Sequence, residues 1–241
     1  MSTDAIKNID DALEAIQASA GKAARGGKEK RRSPVRRVVF AIVKGLLILT
    51  LPFIMLLRIS VSLYLNFGWN AWVALAAAGA ATALLLTIYA AIVTGRLGGK
   101  PVFSINIARF AAAVVAAYCV YALVFISGSN TKSDSVQTTY RTLHPLIRMS
   151  VSTLILIDND LVVTDTGRTR EDYRRMGLPP REYSLHFEQQ TGYVHAVDIR
   201  TIGIPEWQNL LVVGFFRAVG MNTLRHTGTA DHLHVSLRVE D

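Results

Sequence analysis

AWVALAAAGAATALLLTIYAAIVT, from Ala71 to Thr94, decides what kind of molecule this is, because 24 residues pass without a single charge. Crossing the hydrocarbon of a bilayer takes ~20 residues of helix. A helix this long and apolar on every side has no stripe to turn to water, so a membrane span is expected rather than a buried soluble hairpin. The same pattern recurs on both sides. Before it lies Val38 to Leu65, interrupted by Lys44 and Arg58 and bent at Pro52 if helical; after it lies Ile107 to Ser127, with Arg109 at its start. Long basic side chains near span ends can lay their stems along lipid and keep the charge at the interface. Three spans at about 38–65, 71–94 and 107–127 are therefore expected within residues 38–128, in contact with a lipid bilayer. Ala76, Gly79, Ala80 and Ala83 allow close helix contact and with it self-association. The spans carry no acidic residue, which leaves a proton relay nothing to run on.

The rest of the composition fits this partition. The chain of 241 residues is 51% hydrophobic and 18% charged, with a mean hydropathy of +0.30, too apolar for a plain soluble protein. Residues 1–37 hold 9 Lys/Arg and 5 Asp/Glu, residues 38–128 hold 5 and 0, and residues 129–241 hold 12 and 13. The formal charge of +8 thus belongs to the tail and the apolar middle. A nucleic-acid partner is not expected, since that needs a basic face on a folded domain. Basic residues crowd before the first span, which by the positive-inside rule keeps the N-terminus in the cytoplasm; three crossings then carry residues 129–241 outside. A cleaved signal peptide does not fit an n-region of nearly forty residues. The tail itself reads as a short amphipathic helix over residues 4–20, with Ile6, Ile9, Leu13 and Ile16 on one face, and a basic linker over 22–37. Cys119, inside the third apolar run, is the only cysteine, so no intramolecular disulfide supports the outer part.

Residues 129–241 read as a small α+β domain with an antiparallel sheet. A helix is expected over 136–150, bent or divided at Pro145, then a hairpin pairing 153–157 with 161–164 through Asp158-Asn159-Asp160. Thr169 with Asp172 caps a short helix that Gly177 closes. A strand at 194–199, a helix at 205–218, and strands at 222–225 and 232–239 complete the domain.

Its chemistry concentrates in two runs, SLHFEQQTGYVHAVD (Ser184–Asp198) and Asp231-His232-Leu233-His234, which hold four of the six histidines and two aspartates. His plus carboxylate is the ligand set of a hydrolytic metal centre; the plain alternative is a group of ordinary surface and core histidines. In a strand, His232 and His234 share one face and Leu233 and Val235 the other. Asp198 and His195 take opposite faces of theirs, which leaves His186 as the better partner for Asp198.

These residues resemble the zinc D-Ala-D-Ala peptidase superfamily, which includes the vancomycin-resistance D,D-peptidases and the penicillin-insensitive murein endopeptidases. The family pattern S-x-H-x-x-G-x-A-x-D is echoed by Ser184, His186, Gly192, Ala196 and Asp198. The closing motif E-x-W-H, or D-H-x-H-V in the endopeptidases, is echoed by Asp231-His232-Leu233-His234-Val235. Thr166-Gly167-Arg168-Thr169 stands where the family has an S-G-Y-R-S turn. Two departures stand out: eleven residues separate His186 from Asp198 where the pattern has six, so an insertion must loop out, and Asp231 replaces the glutamate. The resemblance spans most of residues 136–239.

Carried over residue by residue, it implies Zn2+ held by His186, Asp198 and His234. Asp231 holds the position of the general base, with His232 the competitor, and Arg168 the position that stabilises an oxyanion. His226, His195 and Tyr183 are weaker candidates for lining the cleft, and His144 reads as structural. The expectation is a membrane-anchored zinc metallopeptidase of the bacterial inner membrane that acts on peptidoglycan stem peptides from the periplasmic side, as a carboxypeptidase or an endopeptidase. Its rivals are an inactive peptidoglycan-binding relative, and a membrane assembly or pore component with an accessory outer domain.

Overall fold

The computed structural model describes residues 14–15, 34–98, 103–175, 177, 179, 183–228 and 231–238. The amphipathic helix expected over 4–20 lies outside these apart from Glu14 and Ala15, which are helical, as does the basic linker from 22 to 33. The chain divides into two units, residues 1–48 and 49–241. In the first, the described part is mainly the beginning of helix α1.

Among the described residues three helices are long and apolar enough to cross a membrane: α1 (Pro34–Phe67), over its part Val38–Phe67, α2 (Ala71–Gly98) and α3 (Ile105–Val124). α1 continues through Pro52 without interruption. Asn70 turns the chain into α2, its side-chain oxygen accepting the Trp72 N–H at 2.9 Å, and Ser104 caps α3 in the same way through Asn106. α3 ends at Val124, three residues earlier than the apolar run suggests, because Phe125 is already extended. A methyl group on Gly79 would stand 3.7 Å from Val115, so the small side chain brings α2 and α3 into direct contact.

The remainder is α+β with one antiparallel sheet. After α4 (Asp134–Thr139) and a 3-10 turn, α5 (Pro145–Ile157) occupies the stretch for which a bent helix and then a strand are expected. Pro145 begins this helix rather than bending it, a first-turn position where its missing N–H costs nothing. The expected strand at 153–157 is therefore corrected to helix. The β-branched residues Val151, Thr153, Ile155 and Ile157 suggest alternation, but every residue from Pro145 to Leu154 is buried, and packing on all sides overrides propensity. Ser150 and Thr153 fit inside because their hydroxyls donate back to the carbonyls of Leu146 and Met149.

Next come β1 (Val163–Asp165), α6 (Arg170–Arg175), β2 (Ala196–Arg200), α7 (Glu206–Val219), β3 (Asn222–His226) and β4 (His232–Ser236). The strand order is β1-β2-β4-β3, all antiparallel, with Asp198 opposite His234 and Leu224 opposite His234 on the other side. α6 starts with the expected cap, Asp172 accepting from the Thr169 N–H and Thr169 Oγ1 from the Asp172 N–H.

On one face of the sheet Val197, Ile199, Leu233 and Val235 share a core with Leu146 and Ile147 of α5 and Val212 and Phe216 of α7. That core runs on without a break into Leu57 and Val61 of α1, Leu75 of α2 and Val115 of α3. α5 is the connecting layer. Arg148 Nη1 donates to the Leu123 carbonyl at 3.1 Å, and the Tyr118 and Thr153 hydroxyls meet at 2.5 Å. One sheet face thus looks through α5 toward the long helices and the other looks away.

Candidate metal centre

The outward face of the sheet carries the histidines. Antiparallel pairing sets Asp198 of β2 directly beside His234 of β4. His186 arrives from the loop before β2, held by Arg168 N–H donating to its carbonyl at 2.8 Å and by His195 N–H donating to Leu185. The long interval between His186 and Asp198 is absorbed by a tight turn. Glu188 bridges Val194, Gln189 N–H donates to Tyr193, and Gly192 closes the turn at φ 76°, where a side chain would be strained.

Three ligand atoms then converge. His186 Nε2 is 3.2 Å from His234 Nδ1 and 3.3 Å from Asp198 Oδ1, and His234 Nδ1 is 2.9 Å from the same oxygen. Atoms bound at ~2.0–2.2 Å to one ion stand about 3–3.5 Å apart in tetrahedral or octahedral geometry, so this spacing fits a metal ion. The group His186, Asp198 and His234 could hold one. The His186 ring is also set in the right tautomer: Nδ1 donates to the Thr166 carbonyl at 2.6 Å, which leaves the lone pair on Nε2 directed at the other two.

Charge is arranged to keep Asp198 ionised. Burial would raise its pKa, but hydrogen bonds from His186 and His234 in their protonated forms, and the positive charge of protonated His186 and His232, hold it below the ordinary carboxylate range. Arg168 Nη2 donates to Asp198 Oδ2 at 3.1 Å, occupying the oxygen that the histidines leave, while Arg168 Nε donates to Asp165 at 2.7 Å. His232 Nε2 lies 3.6 Å from Asp198 Oδ2, its ring stacked on His226 with centroids 4.8 Å apart. Beside Arg168 opens a cavity of about 350 Å³, with Lys132, Ser133, Ser135 and Thr139 among its lining residues.

Asp231 is not brought into this group. It accepts from Thr201 Oγ1 at 2.6 Å and from both Nε and Nη2 of Arg225, at 3.0 and 3.1 Å, and Arg225 also binds Glu206 of α7. These partners lie toward the helix side of the sheet. The Arg225 fork, together with Thr201, holds the Asp231 carboxyl below its ordinary range. His195 is likewise on the inner face, buried, with Nε2 2.7 Å from Thr191 Oγ1 and its ring against His144 and Tyr64. His144 caps α5, its Nδ1 accepting the Leu146 N–H. Tyr183 is exposed.

Three contributors carry no mark in the sequence reading. Asp165 orients Arg168, Arg225 ties down Asp231, and the Thr166 carbonyl fixes His186. Asp165 lies only three residues before Arg168, a spacing that could have suggested the pair. A backbone carbonyl has no sequence signal at all. Comparison with protein-family models, with curated proteins and with solved structures returned no match.

Proposed function

We propose that the protein is a membrane-anchored zinc peptidase acting on peptidoglycan stem peptides from the extracytoplasmic side. The observation that carries the reading is the trio of ligand atoms 2.9–3.3 Å apart with the His186 tautomer fixed for coordination. Two histidines and one carboxylate that leave a side open are a donor set of catalytic zinc sites. Zinc held there would supply a Lewis acid toward the scissile carbonyl and the attacking water.

The chain's own groups divide the remaining work. Asp198 offers Oδ1 to the metal because Arg168 occupies Oδ2. Arg168 spends Nε on Asp165 and Nη2 on Asp198 and also hydrogen-bonds Tyr173, and the N–H groups left over are donors for an oxyanion. His232, close to Asp198 and on the outward face, is placed to take the proton of the attacking water. Asp231, held by Arg225 and Thr201, acts instead as a brace between β4 and α7. The cavity beside Arg168 takes the peptide, with the Lys132 ammonium on its wall to meet a carboxylate. The charge distribution puts the N-terminus in the cytoplasm and this domain outside, where such substrate is found.

The test is zinc stoichiometry on the detergent-purified full chain beside its His186→Ala and His195→Ala variants, followed by muropeptide hydrolysis. About one zinc, lost only with His186→Ala, followed by turnover, supports the proposal. No zinc on the folded chain overturns it, and zinc without turnover replaces it with a wall-binding module.

A further inference from the structure

We infer that α7 is an interfacial helix whose outer face lies in the lipid on the side of the bilayer that carries the sheet. Its inner face, Asn209, Val212, Phe216 and Val219, is buried in the core. Its outer face presents Trp207, Leu210 and Leu211, each 61–64% exposed, with Gly214 one turn further on. Positions i, i+3, i+4 and i+7 make one continuous apolar stripe. The hydrogen bond from Gln208 Nε2 to Asp158 Oδ2, at 2.7 Å, brings the end of α5 beside it, and there Leu156 and Ile157 are 55% and 60% exposed. A contiguous apolar surface of this kind on a folded domain has a partner.

The occupant follows from where the two ends of the patch attach. At the far end of α7, Gly220 is pressed against the Arg58 guanidinium and Val61 of α1. Arg58 lies nine residues before the end of α1, which at 1.5 Å per residue is ~13 Å below it. On the other side Thr153 of α5 meets Tyr118, which by the same measure is ~9 Å below the end of α3. Both attachments therefore sit beneath the ends of the long helices. α7 lies on the same side of the sheet as α5, which those helices cover, and among the described residues nothing covers α7. An apolar stripe headed by a tryptophan, continuous with apolar helices and level with their outer turns, matches lipid. The cluster of His186, Asp198 and His234, on the opposite sheet face, is thereby turned away from the bilayer. This inference requires the long helices to cross a bilayer and is independent of the metal reading.

Nitroxide labels test it, placed one at a time at Leu211, Leu210, Val120 and Thr138 in a Cys119→Ser full-length chain. The protein is reconstituted in nanodiscs of phosphatidylcholine and phosphatidylglycerol, and collision with oxygen and with a water-soluble nickel chelate is read by power saturation. Val120, 63% exposed on α3, is the lipid reference, and Thr138, exposed on α4, is the aqueous one. The expected result is that Leu210 and Leu211 collide with the chelate several-fold less than Thr138 and favour oxygen as Val120 does. Chelate access equal to that of Thr138, with Val120 in lipid, overturns the inference. So does dipolar broadening between Leu211 labels, which would make a second copy the occupant. A Val120 label open to the chelate overturns it together with the spans.

Discussion

Asp198 is the residue on which the candidate site turns, because it meets His186, His234, His232 and Arg168 at once while only 3% exposed. Asp198→Asn keeps the shape and removes the charge, so the full chain should fold and bind metal at least about tenfold more weakly, read by stoichiometry after dialysis against a weak chelator. A second single-residue prediction separates the two candidate bases. His232→Ala should lower turnover about 100-fold at unchanged metal content, whereas Asp231→Ala should lower it less than about tenfold and act mainly on thermal stability. The reverse order would return the proton transfer to Asp231. Sequence arithmetic already contained this choice. The period of two that pairs His232 with His234 also places Asp231 with Leu233, on the opposite face, so motif position and strand parity disagreed over one residue. His186 was legible only as a better alternative to His195, since its reach depends on the Thr166 carbonyl and on the turn at Gly192.

Elements were legible where length and uniform apolarity marked a helix, as in the three long ones, or where a period of two dominated, as in β4, and obscure where a short element was wholly buried. α5 shows why. Buried on every side, it offers no polar face to count, and its β-branched residues point to strand. Its N-terminus carries a further prediction. Burial, then the neighbouring His195 and Arg148, push the His144 pKa down to about 3, and burial lowers that of His195 too. In the unfolded chain these rings take up protons below about 6.5. Between that pH and about 3 the unfolded state binds more protons, so the stability that His144 contributes is fully present above 6.5 and is lost as pH falls. The expected loss from His144 is about 1.4 kcal/mol per pH unit while its ring stays neutral in the folded chain. The thermal midpoint of the detergent-purified chain should therefore drop steeply from pH 7 to pH 5. His144→Asn, which keeps a capping side chain, should flatten that slope, and an unchanged slope would show that these rings do not drive it.

For the whole molecule the division between the long apolar helices and residues 129–241 is less a hinge than a shared core, and this was the feature least visible in the sequence. The charge counts change sharply near residue 128, and the polar run GSNTKSDS over residues 128–135 reads as a linker and so as a boundary. Yet residues 49–241 form one unit, and buried Leu57, Val61, Leu75 and Val115 belong to the same cluster as Leu146, Phe216 and Val235. Long-range packing leaves no local trace in composition. The expected consequence is that residues 129–241 do not detach cleanly from the long helices. Cutting after Gly128 would strip the Leu123 carbonyl from Arg148 and the Tyr118 hydroxyl from Thr153, and bare the side of α5 that the long helices cover. A fragment of residues 129–241 should aggregate or elute as large species in aqueous buffer, and recover a single sharp peak in size-exclusion chromatography only with detergent. A monodisperse, folded fragment without detergent would instead show that the sheet and its helices hold together without the long apolar helices, and would make α5 a docking surface rather than part of the core.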